Sequence, residues 1–169
     1  MKRVFELRFP TLVLFCLCTW PVGDASARVI PTWTYEDLFS KSDVVVIADP
    51  LATTDSGEES DLENPWKVRF VGVNTEVKIK YAIKGTEKNE KIVVTYYRLP
   101  DSTIIKNGPE LAHISLTERT EASSTGKKSS GKPEYLLFLR KRKDGVFEPV
   151  SGLMDSSLSV RELTHGRRD

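Results

Sequence analysis

The stretch that decides the fold is Trp66-Lys67-Val68-Arg69-Phe70-Val71-Gly72-Val73-Asn74-Thr75-Glu76-Val77-Lys78-Ile79-Lys80-Tyr81-Ala82-Ile83. Trp66, Val68 and Phe70 share one face of an extended chain, and Val71, Val73, Thr75, Val77, Ile79, Tyr81 and Ile83 share the other. A period of two marks a strand, because successive side chains of a strand point to opposite sides. The change of parity between Phe70 and Gly72 predicts a β-bulge or a sharp bend there. Lys78, Lys80 and Lys84 fall on the opposite face, so one side of the strand meets solvent. At about 3.3 Å per residue the run would span about 60 Å, too long for one flat strand in a small domain. It must coil around a barrel or break into two strands.

Working outward toward the N-terminus, Asp43-Val44-Val45-Val46-Ile47-Ala48 is a β-branched run ending at Asp49-Pro50, the pattern of a buried strand. Residues 53–65 are polar, acidic and rich in turn formers, which predicts a loop. Pro31 to Ser42 is the one good helix signal: Thr34 can cap it, Asp37 sits three residues on, and Trp33, Leu38 and Phe39 supply an apolar stripe. So short a helix is expected to plug an open end of the sheet.

Toward the C-terminus, Lys84-Gly85 closes the long strand and Glu90 to Leu99 gives the next, with Ile92, Val93, Val94, Tyr96 and Tyr97. Asn107-Gly108-Pro109 reads as a turn, and Leu111 to Leu116 alternates with Ala112, Ile114 and Leu116 on one face, predicting another strand. Residues 117–133, rich in Thr, Ser, Gly and Lys, read as a long mobile loop. Tyr135 to Leu139 is a buried strand, Lys143-Asp144-Gly145-Val146 a two-residue hairpin turn, and Val146 to Val150 a strand whose Pro149 marks an edge. Leu158, Val160 and Leu163 make a last short strand or helical turn. Strands in succession without helical crossovers argue against a parallel sheet. The expected fold is a small, mostly β, antiparallel OB-like barrel with one short N-terminal helix, since closure removes exposed edges.

Residues 1–27 read as an export signal: Lys2, Arg3 and Arg8 precede an apolar run from Thr11 to Trp20, and Ala25-Ser26-Ala27 is a peptidase-type site. The run is about half the length a membrane-spanning helix needs. The residues before Cys16 and Cys18 are Phe15 and Leu17, too bulky for a lipoprotein signal. The expected organisation is therefore signal peptide 1–27, N-terminal segment and helix 28–42, barrel 43–163 and tail 164–169. Both cysteines of the chain leave with the signal, which excludes disulfides, thiolate metal sites and cysteine nucleophiles from the exported form. The 169 residues carry 25 Lys plus Arg and 24 Asp plus Glu. Without the leader's Lys2, Arg3, Arg8, Glu6 and Asp24, the bases and acids balance. Zero net charge gives no electrostatic case for nucleic acid.

The ordered pieces Tyr35-Glu36-Asp37-Leu38-Phe39, Ser42 through Ala48, Val77 through Gly85, Tyr135 through Leu139 and Pro149-Val150-Ser151-Gly152 resemble a set of small secreted bacterial proteins of unknown function. More distantly, the same succession is similar to the netrin-like OB barrel of the tissue inhibitors of metalloproteinases. That resemblance implies an OB-type barrel. The inhibitors' mechanism does not come with it: a mature N-terminal cysteine is needed there, and the expected mature start here is Arg28-Val29-Ile30.

Catalytic patterns are thin. His113 lies on a strand opposite its apolar face, His165 in the tail, and no Gly-x-Ser-x-Gly elbow accompanies them. Asp55, Glu58, Glu59, Asp61 and Glu63 crowd one segment, where several oxygens favour a hard cation such as calcium, yet Gly57 breaks EF-hand spacing and a solvated acidic loop is the simpler reading. Gly126-Lys127-Lys128-Ser129 lacks the upstream glycine of a phosphate loop, position 121 being Glu. Trp66, Tyr96 and Tyr97 with Lys78, Lys80 and Arg98 are the candidates for stacking nucleic-acid bases, a role that neutral charge and export oppose. No cofactor is expected and no metal beyond those weak acidic candidates. The expectation is a non-enzymatic exported module that binds a protein or envelope component without a membrane span. The alternatives are a protease inhibitor acting through Arg28 to Thr32 or a loop, and a calcium-dependent or unfamiliar enzyme using the acidic segment 55–63.

Overall fold

A computed structural model describes residues 32–60, 64–86, 88, 90–100, 103–106, 108–116 and 132–163, all within the compact unit Pro31–Asp169. The leader, Asp61, Glu63, Asn107, the segment 117–131 with its Gly126-Lys127-Lys128-Ser129, and His165 lie outside the described residues. Among the described residues there is no cysteine, and no helix is long and apolar enough to cross a membrane.

The elements are α1 (Tyr35–Lys41), β1 (Val44–Glu59), β2 (Val71–Lys84), β3 (Lys91–Arg98), β4 (Glu134–Lys141), β5 (Phe147–Pro149), a 3-10 turn (Ser156–Leu158) and β6 (Val160–Leu163). Strands pair in the order β1-β2-β3-β5-β4 and β4 returns to β1, closing a five-stranded barrel of OB-like order with β6 added along β4. Every seam is antiparallel except β3 to β5, where Val94 meets Phe147 in parallel. That one contact closes the ring, so the barrel is not purely antiparallel as expected.

The interior is built from one face of each strand: Val44, Val46 and Ala48 of β1, Val73, Val77 and Ile79 of β2, Ile92, Val94 and Tyr96 of β3, Tyr135, Leu137 and Leu139 of β4, and Val160 of β6. Branched and aromatic side chains on a curved, pleated surface fill such a space well.

Several expectations about elements need correction. Residues 53–59 are not loop: β1 continues to Glu59, paired with β2 from Thr53↔Thr75 to Glu59↔Val71. Its second half is exposed or half-buried and needs only backbone bonds from β2, so polar residues serve there. The parity change near Gly72 is real, but β2 starts at Val71, and the extra residues belong to β1, where Asp55 pairs with Val73 and Glu59 with Val71. Gly72 is required by that crowding, because a Cβ on it would lie 2.2 Å from the Ser56 hydroxyl and 2.9 Å from the Glu58 carbonyl. Leu111–Leu116 alternates as expected, with Ala112 and Ile114 buried, but it forms no ladder; Leu116 is exposed. Side chains hold its backbone instead: Ala112 N–H donates to Ser156 Oγ at 2.8 Å and Ser115 N–H to the Tyr135 hydroxyl at 2.9 Å.

The helix forms as its sequence dictates. Asp37 N–H donates to Thr34 Oγ1 at 3.1 Å, while Thr34 N–H reaches the Asp37 carboxylate at 3.3 Å, a complete capping box. The Thr34 hydroxyl, with help from the Thr34 N–H, holds the Asp37 carboxyl below its usual range. α1 does not plug an end: Leu38 packs with Val45, Phe138 and Val150 on the outer face of β1 and β4, with Trp33 beside them. The hairpin after β4 also differs by one residue, since Arg142 N–H bonds the Val146 carbonyl and encloses three residues, Lys143 to Gly145.

Candidate functional site

Two surfaces stand out, one apolar and one polar. The apolar one is the outer face beside α1, and two irregularities in β2 create it. Ala48 pairs with Ile79 but Ile47 pairs with Tyr81, so Lys80 is extra; Val46 pairs with Ala82 but Val45 with Lys84, so Ile83 is extra. Each added residue turns the following one to the same side. Tyr81 and Ile83 are thereby placed on the outer face with Lys80 and Lys84 rather than in the core with Ile79, and they are 56% and 50% exposed. This corrects the expectation that they continue the inward face.

There Tyr81 joins Ile47 and its β4 neighbour Leu136, while Ile83 joins Val45 and Phe138. α1 adds Tyr35, whose ring centre is 5.9 Å from that of Phe138, and Phe39. Tyr35 is 64% exposed and Phe39 44%. Tyr35, Phe39, Val45, Ile83, Leu136 and Phe138 line a groove of about 460 Å³ in which Glu36 is the one charged residue among the described lining. Lysines border it. Lys84 Nζ donates to the carbonyls of Phe39 (2.9 Å) and Ser42 (2.5 Å), tying β2 to the C-terminal end of α1, where a cation is favoured. Its ammonium also lies over the Phe39 ring, and that of Lys88 lies over Tyr81. On the same side Lys80 pairs with Glu134 of β4.

The polar surface is a cleft of about 350 Å³ at the barrel mouth, lined by Thr53, Thr54 and Asp55 of β1, Val73, Tyr96, Arg98 and the extended segment Ala112–Ile114. A chain of hydroxyls runs into its floor: Thr53 Oγ1 lies 3.0 Å from Thr75 Oγ1, which lies 3.1 Å from the Tyr96 hydroxyl, and the Ile114 backbone bonds the same phenol. Burial pushes the Tyr96 phenol above its ordinary value, against the opposing pull of those bonds. Exposed His113 stands at the rim, beside Arg98 paired with Asp55 at 3.2 Å.

The acidic candidates do not converge. Asp55 pairs with Arg98, Glu59 with Arg69 at 2.9 Å, and Glu58 with Arg142 through two bonds of 2.9 and 3.1 Å. Hydrogen bonding to Glu58 holds the Arg142 guanidinium above its usual range. The described carboxylates are thus spread along a strand, each met by an arginine, and among the described residues no three metal-ligating side chains gather. The stacking trio is also dispersed. Tyr96 points inward and is 4% exposed, whereas Trp66 and Tyr97 pack on either side of buried Phe70. Burial, then the Glu58 charge, raises the Tyr97 phenol.

Comparison with protein-family models and with curated proteins finds no match to this chain. The groove residues were invisible to a reading by strict alternation, which assigns Tyr81 and Ile83 to the core. The available signal was the unit Lys-Tyr-Ala-Ile-Lys at 80–84, where lysines flank both apolar residues as they flank an outward face.

Proposed function

We propose that this protein is a non-enzymatic exported binding module, and that the groove between α1 and the β2 end receives an apolar ridge of a partner protein in the envelope or extracellular space. The groove carries the reading. Aromatic and branched side chains left exposed in one contiguous patch are what protein interfaces use as anchors. Lys84 at its border suits a ridge that carries an acidic residue. The compartment follows from the leader signature at 1–27.

The test is site-specific capture. A photoreactive side chain at Phe39 is expected to crosslink one envelope protein, and at Lys143, which does not line the groove, not to. Ile83→Asp is expected to abolish the crosslink while leaving the melting temperature within a few degrees, because Ile83 is half exposed. A crosslink to a second copy of this chain, or one unaffected by Ile83→Asp, overturns the proposal.

A further inference from the structure

We infer that the barrel mouth is a second binding site, which takes an extended peptide as an added strand along residues 51–55 of β1. Three observations converge on it. First, among the described residues β1 is paired on both edges only from Val45 to Ala48, and its continuation pairs with β2 alone. Alternate backbone N–H and C=O groups of residues 51–55 therefore face outward without a ladder partner, as at any open strand edge. Second, that edge does not face open solvent. From Thr53 to Asp55 it forms one wall of the cleft, and Ala112–Ile114, itself extended and with alternating burial, lines the cleft with it. Third, the floor offers what an added strand needs beneath alternate side chains: apolar surface from Val73, Ala112 and Ile114, and the Thr53–Thr75–Tyr96 hydroxyl chain.

Main-chain bonds to the edge would supply affinity, and the floor would select the inward side chains, small and branched or hydroxylated. Asp55, Arg98 and His113 at the rim offer both signs of charge and set no strong demand on the peptide's own charge. Pro50, which has no N–H to give, and the register shift beside it at Leu51 limit the site at one end, and the Ser56–Glu58 irregularity limits it at the other. The site is short by design of the strand: about five residues, or roughly 17 Å at strand rise. This inference stands apart from the α1 groove, which lies on the outer face and shares no residue with it.

The probe is a blocked pentapeptide of alternating Thr and Val, followed by amide NMR and hydrogen exchange on the exported form. At millimolar peptide, shifts and slowed exchange are expected at alternate amides of residues 51–55 and around His113. The same peptide N-methylated at alternate residues is expected to bind at least about tenfold more weakly, a loss of about 1.4 kcal/mol. Thr53→Trp, which fills the mouth from an exposed position, is expected to remove the shifts at an unchanged fold, and Phe39→Asp to leave them intact. Equal binding of the methylated peptide overturns the inference. So do shifts confined to the α1 groove, an absence of shifts, or edge amides already protected in the free protein, which would mean that this chain's own residues occupy the edge.

Discussion

The two halves of β1 make an instructive contrast. Val44 to Ala48 is paired with β4 throughout and from Val45 with β2 as well, and three of its five side chains face the barrel interior. From Asp49 to Glu59 the same strand is, among the described residues, paired on one edge, and apart from Pro50 its side chains are exposed or half-buried. One half is held by packing, the other by backbone bonds and arginine pairs. A strand needs apolar residues only where it encloses a core; elsewhere a partner strand with good β-formers is enough, and β2 and β3 supply those.

The largest expected effect comes from breaking the enclosed half. Leu137, fully buried and paired with Val46, is expected to cost about 2–5 kcal/mol on Leu137→Ala, whereas Thr54→Ala in the arm should stay within about 0.5 kcal/mol. Urea unfolding followed by circular dichroism compares the two, and equal losses would refute the contrast. Next is Gly72→Ala, where β2 crosses the irregular part of the arm. The new methyl must displace Ser56 and the Glu58 backbone, for about 1–3 kcal/mol. A smaller figure would show that the arm yields easily, which is itself a measure of how loosely it is held.

Tyr96→Phe probes the hydroxyl chain between core and arm and is expected to cost about 1 kcal/mol at neutral pH. Its pH dependence sharpens the test. Burial raises the folded phenol above its ordinary 10.0, so the stabilisation it gives is full below pH 10 and is lost as pH rises through the folded value. The wild type should therefore lose melting temperature on the alkaline side more steeply than Tyr96→Phe. The smallest effect belongs to Glu58→Gln. Its pairing with Arg142 is partly exposed, at 38% and 24%, so the loss should be between about 0 and 1 kcal/mol and shrink in high salt. A thermal scan series at rising salt is the check.

Legibility in the sequence followed the same division. The helix cap at Thr34, the inward face of β2 from Val73 to Ile79, the buried strand from Tyr135 to Leu139 and the turn at Gly85 are all local or periodic signals, and each is found in place. Gly85 sits at φ 78, and a Cβ there would strike the Asp43 carbonyl at 1.9 Å, so no other residue fits. The polar half of β1 was missed because nothing in Thr53 to Glu59 has a strand's periodicity. The extended run at 111–116 was misread as ladder strand because burial alternates there without pairing. The groove was hidden for a third reason: an extra residue in a strand reverses every face beyond it, and alternation in the sequence continues as if nothing had happened.

The sequence by itself determined that the chain is β-rich, that one capped helix precedes the strands, that Tyr135 to Leu139 is a buried strand, and which side chains from Val73 to Ile79 face inward. These follow from nearest-neighbour chemistry and a fixed period. Only the tertiary structure decided that β3 and β5 close the ring in parallel, that α1 lies outside rather than across an end, and that Tyr81 and Ile83 face solvent while Thr53 to Asp55 border a cleft. Those depend on strand register. Register is a global outcome, fixed where distant strands compete for the same backbone bonds and the same buried space.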